Sequence, residues 1–376
     1  MVETAPISHS RLRVVDGLRL LAALSVVLYH YTGARSHSWV GGSEGAFPVL
    51  QPITIYGSLG VELFFMISGF VILMSAWGRT VPQFVASRVS RLYPAYWLGV
   101  IASGAVLFFT GLELAGSQWS SIGFDGLLYN LTMLQTAFVM PHVDGVYWTL
   151  FVELKFYALL GLLLLVGITR TRILILCTAW PALGALALAS GSPHLLALVD
   201  PQYAPFFAMG MLVYLLWRDG LAPVPIALLA ANWIYSLLLS FRFADAIGGA
   251  GAGTALPIVV MAVFTVFLLA LIVATLTPVA TIDWGWLTVA GAITYPLYLL
   301  HDVIGAWLIT LAPAAWPPAV TLLLVVAAMG VAAYGVHRFV ERPLGPRLRR
   351  GVERALAWRP SPSRPDRRAE FAQGGE

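Results

Sequence analysis

Cysteine is almost missing from this chain. Cys177 is the only one in 376 residues, which excludes a disulfide framework and a Cys-rich metal site. It lies in an apolar run, where a thiol has little tendency to ionise and attack. Lysine is as scarce, with Lys155 alone among 22 basic residues. Charged residues make up only 11% of the chain, which excludes an ordinary soluble domain. No basic groove with interleaved aromatics stands outside the C-terminal arm, so nucleic-acid binding is not expected. No repeat of the kind that marks inverted-repeat transporters is visible either.

What is present is hydrophobic: 59% of residues, with a mean hydropathy of +0.83. A bilayer core takes about 20 apolar residues per helix. The pattern predicts an all-α polytopic membrane protein of ten helices near 14–33, 55–77, 94–112, 145–168, 172–190, 203–217, 224–241, 256–277, 287–311 and 318–338. Polar groups within the first span argue against a cleaved signal peptide. Arg11, Arg13, Arg79, Arg88, Arg91, Arg170, Arg172, Arg218 and the arginines after Val336 collect on one side, while Arg35 and Arg242 lie on the other. Positive residues mark the cytoplasmic face, so both termini are expected there, in a multi-pass protein of the cell membrane. Residues 1–343 then form the membrane domain, and 344–376 a basic, partly disordered arm near anionic lipid. The longest insertion, 113–144, contains a stretch expected to lie on or dip into the outer face.

Several ionisable residues interrupt these spans, where they are costly and usually face a cavity. Arg19 and His30 are eleven residues apart on one helical face, about 16 Å along the axis. Arg19 read alone snorkels to the interface beside Asp16. Glu62 begins the second span a short way below the outer surface, and Ser68 with Gly69 reads as a close-packing pair. Glu153 lies about one and a half turns below Trp148, which reads as an interfacial belt residue, and His30 is its natural partner. His301 and Asp302 diverge by about 100° on the ninth helix, so only one can face a pocket, and His301 is expected to line it. Arg88 and Arg91 share a face before the third span. They suit either an ordinary positive-inside pair or bidentate phosphate binding.

Taken in order, "DGLRLLAALSVVLYH", "GVELFFMISGF", "RVSRLYPAYW", "WTLFVELKFY", "PLYLLH" and the terminal "ERP" resemble the motifs of the acyltransferase 3 family of integral membrane O-acyltransferases, in its stand-alone membrane form. The resemblance implies transfer of an acyl group, acetyl above all, from cytoplasmic acyl-coenzyme A to a hydroxyl of an envelope or exported glycan. A glycosylated small molecule such as a macrolide is the alternative acceptor, and a proton-coupled transporter the alternative of another class. It further implies His30 as general base, or as the group that first takes the acyl itself and hands it outward, with Glu153 and Arg19 as its catalytic companions and Arg19, Arg88 and Arg91 holding the donor. Glu62, Trp148, Tyr157 and His301 would contact the acceptor. No permanently bound cofactor and no metal are expected. The outer loops hold Trp39, Trp119 and His142, which suit sugar contact or the membrane interface.

Overall fold

A computed structural model describes residues 12–33, 38–114, 117–248 and 255–357; Arg11, Arg35 and the arm beyond Ala357, all part of the charge count, lie outside them. Among the described residues nine helices are long and apolar enough to cross a membrane, or ten when one bent pair is taken as a single span.

The first span is α1, Arg13–Leu28, which continues as a π-helical turn over Tyr29–Gly33. Next come α2 (Gly60–Ala76), α3 (Val81–Thr110), the shorter α4 (Trp119–Leu131), α5 (Trp148–Val166), α6 (Arg170–Ser190) and α7 (Ala204–Asp219). After these come α8 (Pro223–Gly248), α9 (Ala255–Leu276), α10 (Gly285–Leu300), α11 (Val303–Thr310), α12 (Pro318–Val336) and α13 (Arg342–Ala357).

Helix α7 is buried on every side from Ala204 to Leu216, as an all-apolar helix at the centre of a bundle should be. Gly69 of α2 and Gly210 of α7 allow the close approach, since a Cβ at either would run into the facing backbone at Phe207 or Met66. On the other flank, α1 lies on α10 with Asp16 over Gly291.

Three boundaries depart from expectation. Helix α3 begins at Val81, not 94, because Thr80 and Gln83 form a reciprocal capping box there. Its 30 residues extend about 45 Å, beyond a core of about 30 Å, so Arg88 and Arg91 stand on α3 itself and not before it. The expected helix 287–311 breaks by 70° at His301 and Asp302. Finally, the boundary placed at 343/344 falls inside α13, which packs along α3, with Gly345 against the Ser90 carbonyl.

The described stretch 117–144 of the insertion does dip along the bundle. Helix α4 runs back along α3, from Trp119 beside Phe108 to Asn130 and Leu131, whose carbonyls accept from Tyr96 and Trp97.

Candidate active site

His30 sits in the π-helical turn that ends the first span, a kind of irregularity often found at functional sites. Its Nδ1 lies 2.9 Å from the Val26 carbonyl and 3.1 Å from Nε2 of His301. His301 is fully buried, and its Nδ1 is 2.7 Å from the Tyr298 carbonyl. A carbonyl only accepts, so both rings carry their proton on Nδ1, and His301 Nε2 accepts from His30. That leaves the lone pair on His30 Nε2 without a partner among the described residues.

The 70° break in the ninth span brings His301 to this position. Tyr31 donates to the His301 carbonyl at 2.8 Å. Asp144, fully buried just before α5, accepts from the Val303 amide at 3.3 Å, the Val146 amide at 3.3 Å and the Ser103 hydroxyl at 3.4 Å. Burial, with Asp302 nearby, pushes its carboxyl well above the usual carboxylate range. Neither Asp144 nor Ser103 was among the expected site residues. The available signal was an Asp directly ahead of a helical start, the N-cap position of the turn Gly145–Tyr147.

At the arginine-rich end a cavity of about 650 Å³ is lined by Arg19, Arg88, Arg91, Arg342, Arg349 and Glu153, among others. Arg88 lies over the Tyr157 ring at 5.8 Å, and Arg91 over Tyr295 at 5.9 Å. Arg91 also faces Glu341 at 3.7 Å, and Glu341 holds His337 at 2.8 Å. A neighbouring cavity of about 570 Å³ shares Arg19, Arg91 and Arg342 and adds Asp16 and Arg338. Arg342 and Arg349 come from α13, and Arg349 lies in the stretch expected to be a partly disordered arm.

This cavity narrows between Arg19, Ser68, Glu153 and Tyr295 into a slot of about 60 Å³ walled by Val61, Phe64, Phe65, Thr149, Leu150 and Tyr298. Tyr298 hydrogen-bonds Thr149 at 2.9 Å and packs against His301, ring centroids 5.6 Å apart. One aromatic layer therefore separates the slot from the histidine pair.

The expected pairing of Glu153 with His30 is not what the structure has. Glu153 Oε1 accepts from Ser68 at 3.0 Å and Tyr157 at 2.9 Å, which turns it to the neck beside Arg19. Ser68 is thus a donor to Glu153, while Gly69 alone makes the close helix contact. His301 takes the position at His30 that Glu153 was expected to fill.

Beyond the slot, at the His30 end, Glu62, Trp148, Tyr29 and Tyr203 line a third cavity of about 560 Å³. The ring of Tyr29 meets that of His30 edge-on, 4.9 Å between centroids. Three other candidates are engaged elsewhere. Trp39 donates to the Tyr31 carbonyl at 2.7 Å, Trp119 packs among Phe108 and Phe124, and His142 is tied to Gln135 and Thr136. Lys155, which points away from Glu153 as expected, pairs with Asp200 and the Ala197 carbonyl.

A family model described as an acyltransferase domain matches residues 12–337. The chain is 30% identical over 154 residues to acyltransferase MdmB of Streptomyces mycarofaciens, covering 39% of this chain and 38% of that protein. It is 28% identical over 315 residues to a protein of Komagataeibacter xylinus provisionally named membrane-bound transacylase BcsY, covering 78% and 72%. It is 27% identical over 181 residues to peptidoglycan O-acetyltransferase OatA of Listeria monocytogenes, covering 44% and 26%. The match thus spans less than half of MdmB and of OatA. No solved structure matches the chain significantly.

Proposed function

The chain belongs to the acyltransferase family whose domain model it matches, and from that premise we propose that it is a multi-pass membrane enzyme moving a short acyl group from acyl-coenzyme A to a sugar hydroxyl. The observation that carries this reading is the sequence of spaces through the bundle: an arginine-lined cavity, a slot of about 60 Å³, and a free imidazole lone pair beyond it.

The phosphates of coenzyme A suit Arg88, Arg91, Arg342 and Arg349, which present fixed guanidinium forks at the end that the positive-inside rule assigns to the cytoplasm. Pantetheine carries two amides, each a donor and an acceptor. At the neck, Arg19 supplies donors and Glu153 an acceptor. The thioester head would then enter the slot. His30 Nε2 takes the proton of the acceptor hydroxyl, whose oxygen bonds to the thioester carbonyl carbon as the carbon–sulfur bond breaks. The departing thiolate takes that proton back from His30 Nε2 and leaves as free coenzyme A, with the imidazole returned to its neutral form. A base placed in this way contributes about 10²–10⁴-fold.

The glycan acceptor rests on OatA, whose name places it on peptidoglycan. The test is to incubate membranes holding the protein with labelled acetyl-coenzyme A and candidate glycans, and to identify the product by mass. Replacing Arg88 and Arg91 together by Gln should raise the donor KM at least about tenfold with little change in kcat, since each lost charge-assisted contact contributes about 1.5–3 kcal/mol. Acceptor movement across the membrane without ester consumption would overturn the reading in favour of a transporter.

A further inference from the structure

Two cavities lie at the arginine-rich end, and the larger is the one that narrows into the slot. The second, of about 570 Å³, is within the usual range for small-molecule sites, about 300–1,000 Å³, yet takes no part in the acyl transfer just described. The two share a wall. Arg19, Arg91 and Arg342 line both, Arg88 and Arg349 line the first, and Arg338 lines the second.

The end of the last span produces this division. Its π-helical turn, His337–Glu341, carries Arg338 and continues into α13, where Arg342 and Arg349, seven positions apart, share one helical face over about 10 Å. One run of backbone thus gives an arginine to the second cavity, one to the shared wall and one to the first. Glu341 of the same turn faces Arg91 at 3.7 Å across that wall. The carboxylates in the two described linings are Asp16, Glu153 and Glu341, of which Glu153 accepts from Ser68 and Tyr157, and Glu341 from His337. Phe70 and Tyr334 add aromatic surface to the second cavity, and Thr288 a hydroxyl.

Coenzyme A carries its groups in a fixed order from the sulfur: pantetheine, a diphosphate, then an adenosine whose ribose bears a 3′-phosphate. That monoester has a charge of about −1.5 to −2 at neutral pH and three acceptor oxygens. With the thioester at the slot, the diphosphate lies in the first cavity and whatever follows it passes the shared arginines. Building on the acyl-transfer reading, we infer that the second cavity is the subsite for the 3′-phosphoadenosine end of the donor, with Arg338 and Arg342 on the phosphate monoester. Guanidinium forks hold such a group bidentately, and a purine stacks on aromatic surface. The enzyme therefore selects esters of coenzyme A over thioesters that lack this group, such as those of dephospho-coenzyme A or of a carrier protein's phosphopantetheine.

The test measures binding of coenzyme A and dephospho-coenzyme A by calorimetry, with the full chain in phosphatidylcholine nanodiscs. Coenzyme A should bind at least about tenfold more tightly, the worth of one charge-assisted contact. Arg338→Gln should bring the preference to within about threefold, the loss falling on coenzyme A, while Arg338→Lys keeps the charge and should keep part of the preference. Arg88→Gln, on the diphosphate side, should weaken both nucleotides alike. Equal binding of the two to the unaltered protein, or a preference unmoved in Arg338→Gln, would overturn the proposal. A lipid phosphate monoester offers arginines the same chemistry, so the discs are also made with phosphatidic acid. A preference that vanishes on its addition would give the cavity to the lipid and overturn the proposal as well. Failure of both nucleotides to bind removes the coenzyme A reading itself, whereas equal binding of both removes the subsite alone.

Discussion

His30 and His301 are 271 positions apart, yet a single hydrogen bond of 3.1 Å defines what each can do. His301 accepts from His30 Nδ1–H and so holds the tautomer in which Nε2 of His30 is basic. His30→Ala should therefore lower turnover by about 10²–10⁴-fold at normal abundance in the membrane. His301→Ala should lower it less, and the double variant should fall little below His30→Ala, as groups acting through one proton do. Multiplying losses in labelled-acetyl transfer would show that the rings act apart. At this scale the sequence revealed the unusual residues but not their partners. His30, His301, Glu62 and Glu153 stood out because charge and imidazole are rare in apolar runs. Which of them meet depends on how helices rotate against each other. Glu153 looked like the partner of His30 by depth alone, yet Ser68 and Tyr157 hold it at the neck.

Among the elements, the long apolar runs were legible because a bilayer leaves little choice of period or length. Interruptions within them were not. The break after Leu300 depends on Asp144, far off in the chain, accepting the Val303 amide, and the helical form of 342–357 depends on α3 being there to pack against. The small slot shared by α2, α5 and α10 leads to a prediction at the same scale. One water-sized group needs about 10–15 Å³, so a slot of about 60 Å³ holds about four to six non-hydrogen atoms. That would suit an acetyl, propionyl or butyryl thioester head and exclude longer chains. Phe64 closes one wall edge-on to Tyr298, centroids 5.7 Å apart. Phe64→Ala should raise kcat/KM for hexanoyl- relative to acetyl-coenzyme A by about tenfold, because the removed ring surrenders room for the added methylenes at about 0.8 kcal/mol each. An unchanged ratio in competition assays would mean the acyl group lies elsewhere.

Over the whole molecule, both ends of the described chain gather at the arginine-rich pole. Arg13 reaches Asp283 there, and α13 contributes to the same cavity as Arg19. The number of spans and the lopsided arginines had already implied this arrangement. The division of the interior into separate cavities had no counterpart in the sequence, since each wall is assembled from helices distant along the chain.

The narrow neck at Ser68, Glu153 and Tyr295 has an electrical consequence. A membrane potential acts on each charge that crosses it by about 2.3 kcal/mol per 100 mV. An open bore joining the two wide cavities would be a conductive leak, and the Arg19, Ser68, Glu153 and Tyr295 side chains that close the waist act instead as an insulating plug. On the proposed reading the phosphates of the donor would stay on one side of that plug, and only an uncharged acyl group would pass it. Such a transfer would be electrically silent. In proteoliposomes with donor outside and acceptor inside, imposing about 100 mV of either sign with a potassium ionophore should leave the initial rate within about twofold, whereas a rate that follows the field exponentially would mean that net charge moves with the acyl group.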